Sequence, residues 1–184
     1  RVAVGEDGSG TYLTARLLLE VTGVQPAELV MVGTDEALSR LKANQVDAMF
    51  YVAGYPVKLF SEGVAAADEL ALVPIRNKKA AEFYLQTKIP AGTYPWQGSE
   101  VNTVAVKAVL VSYYFRTLDC ESVGRLAKIL YVNIPWLREN GHPKWMSVDL
   151  DAPLKGWEQY DCVRKYLIKR DAASPGSAAR RPGE

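Results

Sequence analysis

RVAVGEDGSGTYLTARLLLE, Arg1 to Glu20, sets an apolar run, a glycine-rich turn and an amphipathic helix pattern in immediate succession. Leu13, Leu17, Leu18 and Val21 recur at helical spacing and are expected to face inward. Thr22-Gly23 supplies the stop, since glycine takes the left-handed conformation that ends a helix. The turn between strand and helix must therefore be read for chemistry. A phosphate-binding P-loop needs lysine directly after its last glycine, and Thr11 follows Gly10. A dinucleotide fingerprint needs a third glycine where Leu13 stands. Ser9 as a nucleophile needs an oriented base, and His142, the single histidine, lies in the turn-forming Asn140-Gly-His-Pro143.

A simpler property survives. The first turn of a helix carries backbone N–H groups with no intrahelical acceptor, at the positive end of the helix dipole. Ser9, Gly10 and Thr11 at that place can receive a carboxylate or phosphate without a cationic side chain. The alternative use of Ser9 or Thr11 is to cap the helix.

The pattern repeats downstream. Leu29–Val32 reads as a strand buried on both faces, Thr34 as the cap of a helix over 35–44 with Ala37, Leu38 and Leu41 inward, and Val46–Val52 as the next strand. A stop at Ala53-Gly-Tyr-Pro56, a helix over 57–64 and a strand over 70–75 follow. Alternating β and α elements predict an α/β fold with a parallel sheet, whose ligands gather at the carboxyl ends of the strands.

The later sequence is less regular. The spacing predicts a helix over 78–87, a turn-rich aromatic loop over 89–98, one long strand over 101–114, and helices over 121–137 and 157–170. Pro135 is expected to break or kink the first of these last two. Residues 171–184, rich in Ala, Ser, Pro, Gly and Arg, are expected to be a disordered tail. Lys and Arg number 22 against 21 Asp and Glu, with no basic run in the body, which argues against a nucleic-acid footprint. The lone histidine, with no cysteine near it, makes no metal site, and no cofactor motif is present.

Four segments in order carry a resemblance: Val2-Ala-Val-Gly with Gly8-Ser-Gly-Thr11, Asp47-Ala-Met-Phe-Tyr-Val-Ala-Gly-Tyr-Pro56, Ile89-Pro-Ala-Gly-Thr-Tyr-Pro95, and Val101-Asn-Thr-Val-Ala-Val106. Over about residues 1–170 the chain resembles the TAXI family of TRAP-transporter solute receptors. It departs at Trp96, where that family usually has glycine. The resemblance implies a type II periplasmic binding protein-like fold: the second, parallel-sheet lobe over 1–100, a segment returning to the first lobe with the C-terminal helices over 101–170, and the tail over 171–184. It implies a non-catalytic receptor in the periplasm that binds a small acidic solute, such as glutamate, glutamine or a dicarboxylate, and delivers it to the TRAP membrane permease. The first lobe of the family's cleft has no counterpart in these segments, so one chain alone is expected to bind weakly. Alternatives are an enzyme on the same bilobal fold acting on a pyrimidine or pyrrole precursor, and a ligand-sensing regulatory domain. Residues 1–100 contain neither the cysteine nor the histidine such an enzyme would use, and no DNA-binding helix pair is evident.

Candidate solute contacts are Ser9, Gly10 and Thr11, then Tyr51, Gly54 and Tyr55 at the end of the third strand, and Thr93 and Tyr94 on the aromatic loop. Core packing is the competing use of Tyr51, and bridging between lobes that of the loop. Asp47 is read as fixing the start of its strand. Cys120 and Cys162 fall on two helices expected to pack together, as a disulfide or as two buried thiols. A periplasmic location, implied by the resemblance, would preserve the bridge.

Overall fold

β1 (Val2–Ala3) lies between β2 (Leu29–Val30) and β3 (Ala48–Met49) in a parallel sheet of order β2-β1-β3, with Val2 opposite both Leu29 and Ala48. The computed structural model describes residues 1–114 and 118–171. α1 (Gly10–Thr22) connects β1 to β2, and α2 (Thr34–Lys42) connects β2 to β3. The chain thus steps outward from the central strand and then crosses back over it. Right-handed crossovers in opposite directions put their helices on opposite faces of a sheet. Ala3, Ala37 and Val46 form a buried cluster, flanked by Val30, Val32, Leu41 and Met49.

Local signals set α1. Ser9 is its N-cap, with Oγ accepting the Tyr12 N–H at 3.1 Å, and Gly23 ends it at φ 72°. The inward face is not the leucine stripe expected, because the buried residues are Thr11, Ala15 and Leu18 while Leu13 is 61% exposed. The helix is rotated so that Thr11 faces the strand ends. α2 buries Ala37 and Leu38 as expected, but Gly33 rather than Thr34 is its N-cap and makes no side-chain bond. Val30 and Val32 are half-buried, whereas Leu29 and Met31 are exposed. β2 is an edge strand, so the expectation of burial on both faces fails there.

α3 (Lys58–Gly63) is a single short helix, followed by a 3₁₀ turn at Ala66–Asp68. No strand forms over 70–75; the Ile75 N–H makes one bond to Asn102 O at 2.9 Å. The helix expected over 78–87 shrinks to α4 (Ala80–Phe83), because Leu85–Ile89 becomes β4 and pairs antiparallel with β5 (Val101–Ala105). One compact unit is Arg1–Ala108, which contains β5, and the other begins at Val109. Residues 106–114 have no regular structure, against the long strand expected.

In the second unit α5 (Leu118–Asn140) runs through Pro135 without ending there, and packs against α6 (Asp161–Asp171) and a 3₁₀ turn at Pro143–Ser147. Proline removes one helical N–H, and the helix nonetheless continues to Asn140. α6 begins at Asp161, four residues later than Trp157. Cys120 and Cys162 are joined, with Cα atoms 5.3 Å apart. The tail reading of 171–184 lies outside the described residues, apart from Asp171 at the end of α6.

Candidate functional site

The carboxyl ends of β1 and β3 are adjacent, and the chains leaving them diverge, one into α1 and the other toward α3. Crevices at such reversals of strand order are where open α/β sheets take ligands. Here the two departing loops are sewn together. The Phe50 N–H donates to Ala3 O at 2.8 Å, and the Val52 N–H donates to Thr11 Oγ1 at 3.2 Å. Thr11 is buried, at 8% exposure, and its hydroxyl oxygen serves this tie.

The glycine turn shapes the other wall. Gly5 has φ +86°, and a Cβ there would lie 2.9 Å from both Ser9 Oγ and Thr11 Cβ, so only glycine lets the turn fold back onto the helix start. The Ser9 N–H is used by Glu6 O and the Tyr12 N–H by Ser9 Oγ. The Gly10 and Thr11 amides have no hydrogen-bond partner among the described residues. Gly10 is exposed, and a Cβ added to it would meet nothing within 4 Å.

Charge reinforces the difference between the two helix starts. α2 carries Asp35 and Glu36 in its first turn, and a Cβ at its N-cap Gly33 would sit 3.1 Å from Glu6 Oε1. Three carboxylates are thus drawn to that positive end. The first turn of α1 has no acidic residue, which leaves its dipole uncompensated. At the opposite end of β3, the Arg1 guanidinium beside Asp47 holds its carboxyl at about 2. The Asp47 N–H also donates to Arg1 O at 2.9 Å, so Asp47 fastens the strand start, away from the crevice.

Tyr51, Gly54 and Tyr55 lie on the loop beyond β3, Tyr51 and Tyr55 half-buried and Gly54 exposed. Tyr51 has an edge-on ring contact with Phe60 of α3, centroids 5.6 Å apart, so it is used at least in part for packing. Thr93 and Tyr94 are spent differently from a free hydroxyl pair. Thr93 Oγ1 donates to Pro90 O at 2.7 Å, closing its own turn. Tyr94 is 2% exposed, its hydroxyl accepts the Val57 N–H at 3.2 Å, and burial pushes its ionisation up. Gln97, which the sequence did not single out, is buried and directs Nε2 to Pro90 O at 3.1 Å and Ser99 O at 2.8 Å. Its place between Trp96 and Gly98 gave no periodic signal, because it holds a loop and not a regular element.

Cys120 and Cys162 belong to the second unit, where they tie α5 to α6. No group of His, Cys, Asp and Glu suited to a metal ion occurs among the described residues.

A three-stranded parallel sheet with a glycine turn leading from its central strand into a helix makes this an α/β protein. The NMT1-like family matches this chain over residues 1–157. The chain belongs to that family, a periplasmic binding protein-like family, and a solute- or ligand-binding role follows for it.

Proposed function

We propose that the chain is a non-catalytic solute receptor of the TAXI type, working in the periplasm and passing a small acidic solute to a TRAP membrane permease. One observation carries the reading: the Thr11–Val52 tie holds the unpartnered first-turn amides of α1 beside the Tyr51–Tyr55 loop. A carboxylate seated on Gly10 and Thr11 would gain the dipole and two N–H donors, while the solute's stem lies along Tyr51 and Tyr55. Ser9 supports the turn through its capping bond. Thr93 and Tyr94 act behind the loop and do not donate to the solute.

This surface is one wall. Small-molecule sites cover most of their ligand, and Gly10 and Gly54 are exposed. A first lobe facing the crevice completes the cleft, and its contribution tightens binding.

Calorimetry of the 184-residue chain with glutamate, glutamine, 2-oxoglutarate and small dicarboxylates tests the reading. Weak binding is expected, strengthened when a family-like first lobe is supplied and lost on Gly10→Pro, which removes an amide donor. Binding of an acidic solute that is indifferent to Gly10→Pro, or no binding with both lobes present, overturns it.

A further inference from the structure

The loop 89–98 is a self-supporting plug. The Gly92 N–H donates to Gln97 O at 3.0 Å, the Gln97 N–H to Tyr94 O at 3.0 Å, and Gln97 Nε2 to Pro90 and Ser99 carbonyls. Two aromatic prongs extend from it. Tyr94 and Trp96 are stacked, with centroids 5.3 Å apart and planes 7° from parallel.

Both prongs grip α3 by its backbone. Tyr94 takes the N–H of Val57, the residue flanking the helix start. Trp96 Nε1 donates to Phe60 O at 2.9 Å. A helix this short leaves its last carbonyls without intrahelical donors, and Phe60 O is one of them. The Phe60 ring in turn meets Tyr51, Tyr94 and Trp96 edge-on, at 5.6, 5.7 and 6.3 Å. A continuous chain of contacts therefore runs from the plug through Phe60 to Tyr51, on the loop that Thr11 holds from the other side.

We infer that Trp96 is a positioning residue for the crevice: through its hydrogen bond to Phe60 it fixes the ring orientation of Tyr51, and thereby sets solute affinity without touching the solute. The affinity part rests on the solute-receptor reading, whereas the orientation of Tyr51 does not. Edge-to-face aromatic pairs depend on ring angle, so a shift of α3 by a fraction of an ångström is felt at Tyr51.

The test uses the full chain with two readouts. Trp96→Phe keeps an aromatic ring and deletes the N–H donor, a milder change than removing the stack. Expected are shifted Tyr51 ring resonances in the NMR spectrum with cooperative unfolding retained, while Trp157→Phe, in the second unit, leaves them in place. With glutamate as probe, Trp96→Phe weakens binding by about 3- to 10-fold, the scale of one lost hydrogen bond. Combined with Tyr51→Ala, it costs no more than the worse single change, because both act on one contact. Unchanged Tyr51 resonances in Trp96→Phe overturn the positioning role whether or not glutamate binds. Shifted resonances with full additivity of the two affinity losses overturn the action through Tyr51. Absence of glutamate binding in the parent chain counts against the solute reading alone, since the ring resonances still decide the positioning role.

Discussion

Thr11 Oγ1 accepts the Val52 N–H across 3.2 Å, joining the first turn of α1 to the loop that leaves β3. The two residues are distant in sequence, and their bond ties together the chains that leave two neighbouring strands. Thr11→Val preserves shape and removes the acceptor, leaving the Val52 N–H unpaired in a partly buried place. A loss of about 1–2 kcal/mol is expected. Urea titration reads the loss, and faster hydrogen exchange at Val52 locates it. An unchanged midpoint with unchanged Val52 exchange would remove this tie from the argument.

How much of this was legible beforehand follows from range. The Gly5–Gly10 turn, the Ser9 cap and the Gly23 stop depend on neighbours within a few residues, and the sequence carries those directly. Leu13 misled because three leucines at helical spacing outweighed a threonine, yet Thr11 has a partner in Val52 that no periodicity reveals. Leu29–Val32 was apolar enough for a central strand, but strand order decides burial, and β2 is at the edge. Val57 and Phe60 gave no signal as anchor points because the atoms used are backbone atoms, reached from Tyr94 and Trp96. Loop hydroxyls at Thr93 and Tyr94 looked free for the same reason: their acceptor and donor partners belong to the folded backbone.

Gly124 is a point of close packing between α5 and α6. A Cβ there would stand 2.3 Å from Tyr166 Cδ2 and 2.9 Å from the Cys162 carbonyl oxygen. The ring can turn aside, but the carbonyl belongs to the helix backbone. Gly124→Ala gains helix propensity and still forces the helices apart, with a net destabilisation of about 1–3 kcal/mol expected. Thermal unfolding monitored by circular dichroism measures it. A stabilised variant would contradict this close packing.

Tyr131 links α5 to the segment before α6, its hydroxyl meeting Leu150 O at 3.1 Å and Asp151 Oδ1 at 2.5 Å. Burial, followed by the hydrogen bond to the Asp151 carboxylate, pushes its ionisation from 10.0 up to about 12. The folded state therefore favours the neutral phenol. Its contribution is fully present below the unfolded value and is lost as pH rises through the folded one. Stability should fall between about pH 10 and 12 with a component that Tyr131→Phe abolishes, because phenylalanine releases no proton. Urea midpoints of both proteins across that window make the comparison. Parallel curves would show that Tyr131 ionises alike in both states.

The Cys120–Cys162 bond closes a sequence separation of 42 residues and joins the first turns of α5 and α6. Its main effect is on the unfolded chain, whose freedom it restricts, and a loop of this size gives a stabilisation of about 2–4 kcal/mol. Gly124 and Tyr166 already bring these helices into contact, so reduction should weaken the second unit without abolishing the packing that surrounds it. The proposed periplasmic setting is oxidising enough to keep the bond. Thiol titration of the denatured, unreduced protein should find no reactive cysteine, and reduction before denaturation should release both. Unfolding followed at Trp136 and Trp145, both in the second unit, should then shift to lower denaturant, while Val52 amide exchange in the first unit stays near its oxidised value. Two reactive thiols in the unreduced chain would replace the bridge with a pair of small apolar side chains, and reduction would then leave the unfolding midpoint where it was.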